Sequence, residues 1–259
     1  MFISDRALIS ACAHFKGAAP FDHCVIDNFF EDEVAAQLER EFPKFDSDIW
    51  YEYLSPIEIK RACNNWNVFP PLTYKVISYL NSEPFCRRLG ELLNIATLTA
   101  DPGLNGGGWH IHTTGGKLNT HLDYSVHPKL GRRRKLNIII YLNSRWQPEW
   151  GGQLGFWGQD PEAPRPGSLV KSVEPVFNRA VLFDTTQNSW HGLPDPLRCP
   201  EGEARQSIAI YYMVPAAADE DQRGKALFAP TADQENDPEV LELIRRRADI
   251  VLADSTYRK

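Results

Sequence analysis

Leu136-Asn-Ile-Ile-Ile-Tyr-Leu142 is followed by Asn143-Ser-Arg-Trp-Gln-Pro-Glu-Trp-Gly-Gly152 and then by Gln153-Leu-Gly-Phe-Trp157. An apolar run rich in β-branched side chains reads as a strand. The Asn, Pro and paired Gly that follow break it, and a second short apolar run resumes. The same rhythm extends in both directions. Thr97–Ala100, Trp109–Thr113 and Leu118–Asp123 come before it, and Val170–Val173, Ala180–Asp184 and Ser207–Met213 come after, separated by Gly, Pro and Asn clusters. Short strands punctuated in this way predict a mainly β fold with supporting helices, a double-stranded β-helix or jelly roll.

Within that series lies Thr120-His121-Leu122-Asp123-Tyr124. Side chains two apart on an extended strand leave the same face, so His121 and Asp123 are expected to project together. His191, in Ser189-Trp-His-Gly192, comes seventy residues after His121, and Arg205-Gln-Ser207 starts fourteen beyond it, opening the apolar run Ile208–Tyr212. Two histidines and a carboxylate on one face of an octahedral ion leave the opposite positions open for a chelating co-substrate and dioxygen, as in non-heme Fe(II) oxygenases. A His-x-Asp pair alone is common by chance. The order His-x-Asp, distant His, then Arg-x-Ser on a final strand is far more specific.

Taken together with Leu136–Asn143, Trp150-Gly-Gly-Gln-Leu-Gly-Phe156, Asn178-Arg-Ala-Val-Leu-Phe183 and His191-Gly, these motifs resemble the prolyl 4-hydroxylase-like branch of the 2-oxoglutarate and Fe(II)-dependent dioxygenases over roughly residues 95–213. The resemblance implies that His121, Asp123 and His191 hold iron and are the catalytic centre. It implies that Arg205 binds the distal carboxylate of 2-oxoglutarate, with Tyr141 and Ser207 assisting. A guanidinium suits that role, because it offers two parallel donors and keeps its charge when buried. The implied cofactors are Fe(II), 2-oxoglutarate as co-substrate and dioxygen, with ascorbate as a reductant. The implied reaction hydroxylates an unactivated C–H bond while 2-oxoglutarate becomes succinate and CO2. Asp123 favours hydroxylation, since related halogenases lack that carboxylate. A prolyl residue of a protein or peptide is the favoured substrate, with a small molecule as the alternative. The interval from His191 to Arg205 is longer than in compact members of the family, and its Pro-rich, charged content reads as a surface insertion.

Other constellations compete. His110 and His112 share a strand face and, with His121, would make a zinc or cupin-type site. The Glu a cupin pattern expects after such a pair is replaced by Thr113-Thr-Gly-Gly116. A non-catalytic jelly-roll binding module is the third reading. Trp109, Tyr124 and His112 are candidate substrate contacts, and His127, beside Pro128, reads as a loop residue. Asp184 reads as a turn cap or as a hydrogen-bond partner of a metal-bound histidine. Arg132-Arg-Arg-Lys135 reads first as a solvated hairpin and second as a lure for an anionic substrate. The glycines from Gly103 to Gly116 fail the Walker pattern, because Gly116-Lys117 is followed by Leu118.

The chain has 259 residues, 42% hydrophobic and 24% charged, with a net charge of −6, which suits an ordinary globular protein and suggests no nucleic-acid groove. Its five scattered cysteines carry no metal or disulfide spacing and fit a reducing cytoplasm. No stretch reads as a signal peptide or a membrane span. The expected organisation is an N-terminal helical support (1–94), with one early strand at Phe21–Ile26, a helix at Glu31–Phe42 and a helical stretch at about Pro71–Asn94 interrupted near Pro84. A catalytic core (95–215) and a C-terminal helical extension (216–259) follow, with a helix at Pro238–Ala253. The three form one structural domain, as a monomer or homodimer.

Overall fold

The computed structural model describes residues 2–218 and 221–256. The helices are α1 (Asp5–Cys12), α2 (Asp32–Glu41), α3 (Pro71–Leu80), α4 (Glu83–Leu93) and α5 (Pro238–Ala248). The strands are β1 (His23–Ile26), β2 (Tyr51–Ser55), β3 (Glu58–Cys63), β4 (Thr99–Ala100), β5 (Gly108–His112), β6 (Lys117–Leu118) and β7 (His121–Leu122), then β8 (Arg132–Tyr141), β9 (Leu154–Gln159), β10 (Pro166–Val173), β11 (Ala180–Asp184), β12 (Trp190–Gly192), β13 (Arg205–Pro215) and β14 (Leu227–Phe228).

Two antiparallel sheets make the jelly roll. The larger runs β1-β11-β8-β13-β5-β3-β2, with β4 beside β13 and β6 beside β3; the smaller runs β10-β9-β12-β7-β14. Alternation along β5, β8 and β13 gives the larger sheet two unlike faces. Trp109, Ile111, Ile138, Ile140, Ile208, Ile210 and Tyr212 meet Leu8, Leu38, Val76, Ile77, Leu80, Phe85 and Leu89 of α1–α4 in the main core. Each such buried side chain is worth about 1.5–3 kcal/mol of transfer free energy. The opposite face carries His110, His112, Asn137, Arg205, Ser207 and Tyr211 into a pocket. Between the sheets, Phe21, Leu154, Phe156, Val173, Val181 and Phe183 close around Tyr141.

Local chemistry explains the helix ends. The helical stretch expected from Pro71 to Asn94 divides because the Ser82 hydroxyl accepts from the Phe85 N–H and restarts the chain as α4, with Pro84 in its first turn. Asn94 ends α4 in the left-handed region, φ 54°. The Asp237 side chain caps α5 by accepting from the N–H groups of Glu239 and Val240.

The N-terminal third departs from its mainly helical expectation. β1, β2 and β3 all join the larger sheet, so that sheet runs across the 94/95 boundary. The β2–β3 hairpin carries Glu52, Lys60 and Arg61 in place of an apolar alternation. Its strand character comes from pairing, with Cys63 opposite Trp109 and Ala62 opposite His110. The single strand expected at Leu118–Asp123 is split into β6 and β7. The C-terminal extension also supplies β14, and α5 ends at Ala248, short of Ala253. This helix buttresses the barrel: Val240 packs with Ile57 and Phe228, and Arg247 pairs with Glu58 at 3.0 Å. Among the described residues no helix is long and apolar enough to cross a membrane.

Candidate metal and co-substrate site

β7 and β12 lie side by side with His121 directly opposite His191, their rings 4.3 Å apart. Asp123 follows β7 on the same face. His121 Nε2 lies 4.0 Å from Asp123 Oδ1, and His191 Nε2 lies 3.9 Å from Asp123 Oδ2. The three ligand atoms fall within 4.8 Å of one another, the one such cluster of His, Cys, Asp and Glu among the described residues. That span is about twice the ~2.0–2.2 Å bond from a divalent metal to nitrogen or oxygen, so one ion can reach all three.

The ring orientations fit a metal. His121 donates from Nδ1 to the Asn119 carbonyl at 3.0 Å, and His191 from Nδ1 to the Ser189 carbonyl at 2.8 Å. Both tautomers therefore turn an Nε2 lone pair toward Asp123, the backbone-fixed geometry of metal-ligating histidines. Burial, helped by the neighbouring His191, pulls His121 down to about 3. Burial likewise lowers His191, so both rings are neutral near pH 7. Burial alone would raise Asp123, but Arg134, His191 and His121 together hold it below the usual carboxylate range. Two neutral imidazoles and one ionised carboxylate make the donor set a divalent iron takes.

The carboxylate is held by a residue that sequence reading misplaced. Arg134 Nη1 pairs with Asp123 Oδ1 at 3.0 Å, and its Nη2 donates to the Asn105 carbonyl at 2.9 Å. The guanidinium lies between the rings of Tyr124 and Tyr211, 3.5 and 3.3 Å from their centroids. The solvated-hairpin reading of Arg132–Lys135 is thus corrected at Arg134, which is 2% exposed. A bulge is the cause. Tyr212 pairs with Leu136 but Met213 pairs with Arg134, so Lys135 is the extra residue and the side-chain phase flips. Lys135 instead bonds Asp184, whose carboxylate also accepts from the Thr186 N–H at 2.7 Å, which makes Asp184 a turn cap.

Arg205 opens β13 deep in the pocket, 3% exposed. Its Nε donates to the Gly152 carbonyl at 2.8 Å and its Nη2 to the Tyr141 hydroxyl at 3.3 Å. Gly152 is required there: its φ is +80°, and a Cβ would come within 2.9 Å of Arg205 Cδ. Ser207 stands opposite Tyr141 across β13 and β8. Burial raises Tyr141 against the pull of Arg205, so its hydroxyl keeps its proton and can donate. Guanidinium and hydroxyl face the pocket that His121, Asp123 and His191 line, with the Tyr141 phenol bonded behind them, and this donor set suits a carboxylate.

The remaining candidates divide. His112 lies beside Arg205 across the strand pair, 3% exposed, and its ring nitrogens have no hydrogen-bond partner among the described residues. Tyr124 lines the pocket beneath Arg134. Trp109 does not line it: alternation along β5 turns it to the helix side, where it packs on Phe42, Phe69 and Trp50. His127 is buried 3.3 Å from Asp101, in a turn whose Lys129 and Leu130 N–H groups it accepts. The zinc or cupin arrangement of His110, His112 and His121 does not form a ligand cluster. Sequence reading also missed Phe228, stacked on His121 at 5.0 Å from β14, and Arg223, which donates to the Asp123 carbonyl at 2.9 Å. Neither carries a local signal, because each meets the site from about a hundred residues away.

Residues 107–213 match the model of the 2OG-Fe(II) oxygenase superfamily. This chain carries a 2OG-Fe(II) oxygenase domain. The matched span includes His121, Asp123, Tyr141, His191, Arg205 and Ser207. The chain is 32% identical over 79 residues to prolyl 3-hydroxylase OGFOD1 of Xenopus laevis, a match covering 30% of this chain and 15% of the relative. The mouse protein is 31% identical over 83 residues, again 15% of its length. A Pseudomonas putida prolyl-4-hydroxylase shares the fold with a TM-score of 0.55 at 19% identity, over 81% of this chain and all of that one. A prolyl hydroxylase from Trichoplax adhaerens, solved with a peptide fragment of the hypoxia inducible factor oxygen degradation domain, gives 0.54 at 16% identity, over 80% and 89%.

Proposed function

We propose that this protein is a 2-oxoglutarate- and Fe(II)-dependent oxygenase that hydroxylates a prolyl residue of a protein or peptide. Substrate C–H, dioxygen and 2-oxoglutarate would be converted to C–OH, succinate and CO2. The observation that carries the reading is one pocket with two neutral histidines and an ionised aspartate facing one point, and a buried Arg205–Tyr141 pair at its inner end. His121, Asp123 and His191 would hold the iron, which supplies the dioxygen-activating chemistry when bound. Arg205, Tyr141 and Ser207 would bind the distal carboxylate and so set the co-substrate's reach toward the metal. Arg134 would hold one oxygen of Asp123 and leave the other to the ion. The prolyl preference is supported by the prolyl hydroxylases among the relatives in sequence and in fold.

The test is succinate formation from 2-oxoglutarate on aerobic transfer of anaerobically iron-loaded protein, with His121→Ala and Arg205→Ala alongside. Succinate that needs iron, oxygen and both residues is the expected result. Absence of succinate, together with failure of 2-oxoglutarate to bind the iron-loaded protein, refutes the reading. Prolyl peptides that raise succinate formation and gain one oxygen atom would identify the substrate, and NMR of the product would locate the ring carbon.

A further inference from the structure

His121 stands on a short footing, because β7, which carries it, is two residues long. Its Nδ1 bond to the Asn119 carbonyl fixes where one edge of the ring points. The last torsion of a histidine has broad minima, so the tilt of the ring about that edge is left to its neighbours. His191 has the same kind of anchor, a bond from Nδ1 to the Ser189 carbonyl, and the Phe183 ring packs against it at 4.8 Å. Phe183 comes from β11 and is itself fixed in the cluster between the sheets with Phe21 and Phe156.

The corresponding support for His121 comes from the C-terminal extension. Strand register sets Phe156, His191, His121 and Phe228 in one row across β9, β12, β7 and β14, and residues directly opposite on antiparallel strands share a face. Because β12 and β14 flank β7, the imidazole of His121 lies between two rings. His191 is on one side at 4.3 Å with the planes 46° apart, and Phe228 is on the other at 5.0 Å with the planes only 22° apart. The nearly parallel phenyl face is a flat stop for the imidazole, within the usual distance of stacked rings. Phenylalanine has no donor or acceptor, so it restrains the ring without competing for Nε2. Phe228 is buried, and it is gripped in turn by Ile57, from the turn between β2 and β3, and by Val240 of α5.

Resting on the oxygenase reading above, we propose that Phe228 is a positioning residue for the metal, holding the plane of His121 from β14 so that Nε2 addresses the point shared with Asp123 and His191. The packing of α5 behind Phe228 then contributes to metal affinity, although α5 supplies no ligand. The reason is geometric: the Nε2 lone pair lies in the ring plane, so a tilted ring aims it away from the ion. A ring already held in the right plane also loses less rotational freedom when the ion binds.

Anaerobic titration calorimetry with Ni(II) compares the full chain with Phe228→Leu, which keeps apolar bulk but has no flat face, and with His121→Ala, which removes the ligand itself. Phe228→Leu should bind Ni(II) about tenfold more weakly than the parent, the scale on which outer partners of metal ligands act. Nitrogen-15 NMR of the imidazoles in metal-free protein, assigned with His121→Ala and His191→Ala, supplies a readout that general destabilisation does not move. The His121 signals of the parent should show one tautomer with the proton on Nδ1. In Phe228→Leu they should move toward an average of the two tautomers, while those of His191, held by Phe183, stay in place. Val240→Ala loosens the seat of Phe228 at a residue that does not line the pocket, and should weaken Ni(II) binding in the same direction to a smaller degree. It keeps the test decisive if Phe228→Leu folds poorly. A parent that binds Ni(II) no better than His121→Ala defeats the metal-site reading and the proposal with it. Parent-like Ni(II) affinity in folded Phe228→Leu, or in Val240→Ala where Phe228→Leu does not fold, overturns the proposal alone. So do His121 and His191 signals that shift together.

Discussion

Replacing Arg134 with methionine removes the guanidinium 3.0 Å from Asp123 while filling most of the space between Tyr124 and Tyr211. Both members of the pair are buried, at 2% and 7% exposure. Removing one partner of a buried pair costs about 3–5 kcal/mol, because the other charge is left without compensation. Losing the cation–π contacts on two faces costs roughly 0.5–2 kcal/mol each. The methionine sulfur recovers about 0.3–1.5 kcal/mol against the same rings. A net loss of about 3–8 kcal/mol is therefore expected in metal-free protein. A divalent ion on Asp123 supplies the missing positive charge, so in metal-loaded protein the loss should shrink by about 2 kcal/mol or more. By linkage the variant should then bind metal roughly thirtyfold more tightly than the parent, since the metal no longer competes with a guanidinium. Urea unfolding at pH 7.5, with chelator and with saturating Ni(II), reads both quantities. An equal loss in the two conditions, or a metal-free loss below about 1 kcal/mol, would refute the view that Arg134 and the metal share one carboxylate.

Three further outcomes are expected. Arg205→Lys should weaken 2-oxoglutarate binding about 10–100-fold, by loss of the planar two-donor fork, and leave Ni(II) affinity unchanged in anaerobic titration calorimetry. Gln234→Leu strips one of the two acceptors of Asn119 Nδ2, the one 2.6 Å away, leaving only the Ala229 carbonyl at 3.0 Å, and so loosens the residue whose carbonyl fixes His121. It should lower metal affinity about tenfold in a competition titration, as loss of other outer partners of metal ligands does. Burial lowers His110 and His121 to about 3 and His112 and His191 below the ordinary value of 6.5. Below that value the unfolded chain takes up protons that the folded chain refuses. Metal-free stability should therefore be full above about pH 6.5 and fall by about 1.4 kcal/mol per histidine per pH unit as acid is added, and urea midpoints that stay flat from pH 7.5 to 5.5 would contradict this.

The residues that could be read from the sequence are those whose geometry is local. His121 and Asp123 share a face because a strand repeats every two residues, and that holds wherever the strand lies. Glycines and prolines between short apolar runs marked most strand breaks of the jelly roll. The start of the last core strand at Arg205 could be read because an apolar run follows it directly. Arg134 could not, since one extra residue at Lys135 reverses the alternation on which such reading depends. Trp109 was misread for a related reason: a neighbour in sequence of His110 points to the opposite face.

The sequence by itself determined the candidate donor set, its order along the chain, the jelly-roll class and the arginine proposed to bind the carboxylate, because spacing and side-chain chemistry survive without knowledge of distant contacts. Only the tertiary structure decided what surrounds them. It brought Glu58 and Lys60 from β3, Arg134 from a bulge, and Phe228, Gln234 and Arg247 from the C-terminal extension into contact with one site. Those contacts depend on sheet pairing between segments a hundred or more residues apart, where the energy of closing the fold selects the neighbours and no local pattern records them.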